Sequence, residues 1–103
     1  MVLIQLLLPT KRADGSDALP SLAETRRELA ARFDGVTAYL RSPAKGVWTS
    51  PEGRMETDDV VMVEVVTNDF DRRWWGTYAA TLARRFDQHA IHVRALPIET
   101  LDD

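Results

Sequence analysis

Residues 28–41 and 81–94 align on one another without a gap, and six of the 14 positions are identical. The shared pairs are Leu29/Leu82, Ala30/Ala83, Arg32/Arg85, Phe33/Phe86, Asp34/Asp87 and Arg41/Arg94. Each stretch begins with apolar residues at helical spacing and ends on alternating ones, so each reads as a helix running into a strand. Amphipathic helix ends converge on such patterns by themselves. Even so, a chain that makes this join twice is constrained to two βαβ half-units.

The remaining segments complete those units. Val2 to Leu8 is an apolar run stopped by Pro9, the pattern of a buried strand. Residues 10–19 contain Asp14-Gly15-Ser16-Asp17 and read as a loop. Ser21 and Glu24 fit a capping box, and Leu22, Leu29 and Phe33 follow at helical spacing. This predicts a first helix over 22–34, with Gly35 as its left-handed stop. Val36 to Arg41 predicts the second strand. Ser50-Pro51-Glu52-Gly53 predicts a β-turn, with 47–49 and 54–56 pairing across it. The β-branched run from Val60 to Val66 predicts the third strand. Thr67, Asn68 and Asp69 offer caps for a second helix over 70–87, whose last turn carries Arg84 and Arg85 to suit the helix dipole. Trp75, Tyr78, Leu82 and Phe86 form its apolar face. His89 to Leu96 predicts the last strand, closed by Pro97.

The fold expected is therefore α+β, a single ferredoxin-like βαββαβ domain spanning 1–103. Its four-stranded antiparallel sheet has the order 4-1-3-2 and both helices on one face. Composition agrees with one globular domain: 103 residues with 45% hydrophobic content can bury a core without staples. No cysteine is present, which removes disulfides, thiolate catalysis and cysteine metal sites. A net charge of −3 without a basic run argues against nucleic acid as a partner. No run is long enough to span a membrane, and a cytoplasmic protein is expected.

Strand alternation then assigns faces. Ala38 and Leu40 correspond to Ile91 and Val93 and should meet the helices. Tyr39, Arg41, His92 and Arg94 should face away, joined by Gln5 from the first strand and Met62 and Glu64 from the third. Leu3, Leu7 and Val66 lie among them. Such a face is too apolar to stay bare, and the expected solution is a homodimer, sheet against sheet, around a partly polar cavity. Small-molecule or protein binding there is the leading expectation. Gln5, Tyr39, Arg41 and Arg94 would be ligand-binding residues, together with Trp48 over the mouth of the pocket.

His92 is the candidate acid or base, because imidazole titrates near neutral pH. Glu64 is its candidate helper, and Arg41 or Arg94 would hold an anionic substrate. This makes a cofactor-independent enzyme the second expectation. Two facts temper it. Glu64 and His92 sit two strands apart, with backbones about 10 Å from each other. Arg41 across adjacent strands makes a plain ion pair with Glu64 the simpler reading. His89 and His92, three apart on a strand, point to opposite faces, so no metal site is expected. No Gly-rich phosphate loop or serine elbow occurs, and no cofactor is expected. RNA-recognition modules of this topology stack bases on aromatics of the first and third strands, which here carry none. Trp48 and Trp74 are also candidates for docking another protein, although packing is the plainer role for both.

Several motifs together carry a resemblance over most of the chain. They are Gly35-Val36-Thr37-Ala38-Tyr39, the run from Arg41 to Trp48, Asp58-Asp59-Val60-Val61, Trp74-Trp75 and the run from Arg94 to Glu99. In these the chain resembles a group of small uncharacterised bacterial proteins that have no assigned activity. More loosely it is similar to dimeric α/β-barrel proteins, which include monooxygenases, decomposing enzymes and pure binding modules. That likeness implies a fold and a dimer, and it does not choose a function.

Overall fold

The computed structural model describes residues 1–101, and their side chains except at positions 42, 43, 48 and 56–58. The chain runs β1 (Val2–Pro9), α1 (Leu19–Arg32), β2 (Gly35–Thr49), β3 (Met55–Thr67), α2 (Arg72–Arg85) and β4 (His92–Pro97). The sheet order is β2-β3-β1-β4, which is the expected 4-1-3-2 taken from the other edge, and every neighbouring pair is antiparallel.

Burial follows the predicted alternation. Ile4, Leu6 and Leu8 of β1 and Val61, Val63 and Val65 of β3 are buried. They pack against Leu22 and Leu29 of α1 and Trp75 and Leu82 of α2, with Phe86 just beyond. Apolar area removed from water on this one side of the sheet is the main source of stability. The repeat holds in three dimensions. Leu29 and Leu82 are both fully buried, and Phe33 and Phe86 each form the C-cap of their helix. Ala38, Leu40, Ile91 and Val93 all join the core or pack on it.

Four boundaries differ from expectation. Helix α1 starts at Leu19, ahead of Ser21, with Pro20 in its first turn. Proline is tolerated there because its missing N–H would have no helical partner anyway. The Asp17 carboxylate accepts the Leu19 N–H at 3.0 Å, and the Ser21 carbonyl accepts the Thr25 hydroxyl at 2.8 Å. Gly35 is no left-handed stop. Phe33 is already extended, with φ −122° and ψ 147°, so α1 leads straight into β2. The left-handed residue is Asp87 after α2, at φ 57°. There the Asp87 and Gln88 N–H groups close back on the Arg84 and Ala83 carbonyls. The cap of α2 is Asp71, whose side chain accepts the Trp74 N–H at 3.0 Å, and not Thr67, Asn68 or Asp69. Finally, β4 begins at His92 rather than His89.

Strands β2 and β3 are longer than predicted. Beyond the pair Ala44↔Val60 they continue to Thr49↔Met55, while β1 ends opposite Val60. Residues 44–59 thus form a two-stranded arm past the body of the sheet. The predicted turn closes it: the Gly53 N–H donates to the Ser50 carbonyl, with Gly53 at φ 82°. Among the described residues no helix is long and apolar enough to cross a membrane.

Candidate functional site

The face of the sheet away from the helices carries the predicted polar set, and the register orders it into rows. Thr37, Glu64, Gln5 and Arg94 lie side by side across β2, β3, β1 and β4. The next row is Tyr39, Met62, Leu7 and His92. The row on the other side contains Gly35, Val66, Leu3 and Leu96. A polar line therefore crosses the sheet between apolar neighbours.

Its members are joined. The Tyr39 hydroxyl donates to Glu64 Oε1 at 2.8 Å. Gln5 Nε2 donates to Glu64 Oε2 at 2.8 Å. Arg94 Nε donates to Gln5 Oε1 at 2.6 Å. The orientation of the Gln5 amide is dictated by its partners: a carboxylate only accepts and a guanidinium only donates, so the nitrogen must face Glu64 and the oxygen Arg94. Every donor in the line points towards Glu64. The hydrogen bond to Glu64, with the adjacent negative charge, holds the Tyr39 phenol above its ordinary pKa. Tyr39 is thus a donor here rather than a base.

Gln5, Tyr39, Glu64 and Arg94 are brought together, and two other predicted residues are not. Among the described residues the ion pairs are Lys45–Asp59, Arg85–Glu24 and Arg85–Glu28, so the expected Arg41–Glu64 pair does not form. The reason is register: pairing of β2 with β3 shifts between Tyr39 and Ala44, and Arg41 falls inside that irregular stretch. Glu64 has Tyr39 and Gln5 in its place. His92 is exposed and stands opposite Leu7, in the row beside Glu64's. The bridge offered by Gln5 runs to Arg94 and leaves His92 outside it. The side chain of Trp48 lies outside the described residues.

Trp74 is partly buried and engaged. Tyr78 stacks on its ring at 4.8 Å, and the Arg32 guanidinium lies over it at 4.2 Å. Phe33 meets both tryptophans, edge-on to Trp74 and stacked on Trp75. These contacts tie the end of α1 to the start of α2.

A second polar cluster was not anticipated. Arg85 reaches from α2 to α1 and donates to both oxygens of Glu28, at 2.7 and 2.8 Å. It also donates to the Thr25 hydroxyl at 2.9 Å. The Tyr78 hydroxyl donates to Glu28 at 2.8 Å, and Arg12 from the loop donates to the Arg85 carbonyl. The paired guanidinium keeps the Glu28 carboxyl below its ordinary pKa. Burial first, and then Glu28, raises the Tyr78 phenol. The available signal was the spacing. Glu24, Thr25 and Glu28 share one face of α1, while Tyr78 and Arg85, seven apart, share one face of α2.

The structure is similar to that of a phage SAM lyase in complex with S-methyl-5′-thioadenosine, with a TM-score of 0.64 and 13% identity over 92% of this chain and 79% of that one. The apo state of a phage SAM lyase matches with a TM-score of 0.61 and 12% identity, over 92% and 78% of the two chains. At such identities the likeness is one of fold. No protein-family model and no curated protein matches the chain.

Proposed function

We propose that this chain is a small-molecule binding module that uses the open face of its sheet, closed over by the same face of a second copy. The observation that carries this reading is the hydrogen-bonded line Tyr39–Glu64–Gln5–Arg94 set among Leu3, Leu7, Met62 and Val66. Apolar walls with a few convergent polar groups are the usual make-up of a ligand site. The fold supports it as well, since a protein of similar fold holds S-methyl-5′-thioadenosine. That molecule is the natural first probe. Light scattering after size exclusion should give a dimer, and Leu7→Arg should halve the mass. Mass spectrometry of protein purified from its own host should find a retained small molecule. A monomer that carries nothing and is not stabilised by the probe would end this reading.

A second reading is a cofactor-independent enzyme in which His92 moves a proton on a substrate anchored by Arg94. It draws on the placement of both side chains, exposed and two residues apart on one strand. In it Glu64 has no direct part, being held by Tyr39 and Gln5. If turnover of a candidate substrate is found, His92→Gln should abolish it while leaving binding intact; unchanged turnover would remove His92 from the chemistry.

A further inference from the structure

The two ends of the polar line have opposite hydrogen-bonding characters, and that difference selects a ligand. At the β3 end stands a carboxylate. Each Glu64 oxygen accepts one bond from the protein and keeps lone-pair capacity for another donor. The Tyr39 oxygen beside it spends its hydrogen on Glu64. At the β4 end stands a guanidinium whose Nε is bonded to Gln5. Among the described residues no other bond of Arg94 is found, so the four N–H groups of its two terminal nitrogens remain available to a ligand. His92, two residues away on the same strand and the same face, adds a ring N–H donor. Gln5 holds the ends apart and aligns both. Its amide cannot turn without setting acceptor against acceptor, so a single orientation of Gln5 bonds both Arg94 and Glu64 before any ligand arrives.

We propose that the open face takes a small bipolar ligand, with an ammonium or other N–H donor at the Glu64 end and a carboxylate or phosphate at the Arg94 end. This rests on the reading of that face as a ligand site. The spacing restricts the class further. The two strands are separated by β1, which puts their backbones about 10 Å apart. The Gln5 bridge draws the side chains inward, at 2.8 Å to Glu64 and 2.6 Å to Arg94, so the charged groups stand closer together than the backbones. The charges of an α-amino acid share one carbon and cover only part of that line. A molecule whose opposite charges sit at the two ends of a short chain or ring system can reach them. Leu7 and Met62 on one flank, with Leu3 and Val66 on the other, offer apolar contact to its middle.

The test uses the full chain, labelled with 15N and titrated with four probes: 6-aminohexanoate, hexanoate, hexylamine and glycine. Amide shifts should centre on Gln5, Glu64 and Arg94. The two-ended probe should bind about tenfold or more tighter than each of the others, the gain expected from one further charged contact. Glu64→Gln should bring 6-aminohexanoate down to the level of hexanoate, and Arg94→Ala should bring it down to the level of hexylamine. Arg94 is exposed and Glu64 partly buried, and the thermal midpoint of each variant checks that it is folded; Arg94→Gln replaces any alanine variant that aggregates. Shifts on this face with equal affinity for one-ended and two-ended probes would overturn the inference and leave the ligand-site reading standing. Shifts confined to other surfaces, or none with any probe, would overturn both.

Discussion

On the helix side of the molecule Tyr78, Glu28 and Arg85 meet between α1 and α2. On the bare side Tyr39, Glu64 and Arg94 stretch across the sheet. The same three residue types are present, and the tyrosine donates to the glutamate at 2.8 Å in each. The difference lies in how arginine reaches glutamate. Arg85 docks on Glu28 directly, with one nitrogen on each oxygen, and its side chain is only 14% exposed. A bidentate pair of this kind uses up the fork and the carboxylate together. Arg94 reaches Glu64 only through Gln5 and keeps its terminal nitrogens at the surface. One cluster is a finished joint between helices; the other is an arrangement held open.

That comparison can be broken most directly by removing each arginine. Arg85→Ala takes from Glu28 its bidentate cation and from the fully buried Thr25 hydroxyl the donor it accepts, leaving them only Tyr78 and the Ser21 carbonyl. It should lower the unfolding free energy by about 2–3 kcal/mol, read as a shifted urea midpoint at constant slope. A loss no larger than that of Arg94→Ala would show that the helix cluster is not a joint. The tyrosines come next. Tyr78→Phe removes one hydrogen bond from a half-buried site and should cost about 1 kcal/mol. Tyr39→Phe acts on an exposed group and should leave the midpoint unchanged.

Acid should also separate the two sides. Glu28 has its pKa depressed in the folded state, so its contribution is present above the unfolded value of 4.5 and is lost as pH falls through the folded one. Stability should decline below about pH 4.5 in the wild type, and less steeply in Glu28→Gln. Tyr78 works at the other limit. Its pKa is raised, so its contribution is complete below 10 and is lost as pH rises further. The remaining groups of the sheet line should matter as little as Tyr39: Glu64→Gln and Arg94→Ala should each stay within about 0.5 kcal/mol of wild type. A large destabilisation by either would make the sheet line a structural brace, contrary to its proposed use.

The legibility of the two clusters in the sequence differed for the same physical reason. Strand alternation has a period of two, so Gln5, Tyr39, Glu64 and Arg94 could be placed on one face from pattern alone. The order 4-1-3-2 then gave their neighbours, including the separation of Glu64 from His92. The row of Arg41 was not legible, because the irregularity between Tyr39 and Ala44 has no sequence mark that shifts register by a stated amount. The Arg85 joint was hidden as well. It depends on how α1 and α2 rotate about their axes, which apolar spacing sets only to within a neighbouring residue. Arg85 at a helix end had an adequate local explanation in the helix dipole, and that explanation masked the longer-range one. Ser21 misled in a similar way: a good cap motif was overridden by Pro20 and Asp17 just before it.

The β2–β3 arm has a consequence for the connectivity of the chain. Val2 stands opposite Pro97, and the Ile98 N–H donates to the Met1 carbonyl at 3.0 Å, so the start of β1 and the end of β4 run side by side. The far tip of the arm, from Pro51 to Gly53, is exposed and lies beyond the last strand pair, Thr49↔Met55. A circular permutant joined by a linker from the segment after Ile98 back to Met1, and opened between Glu52 and Gly53, would keep every strand pair of the body. The new chain ends would then sit at the tip of the arm, past the last strand pair, where they can be lengthened, tagged or anchored.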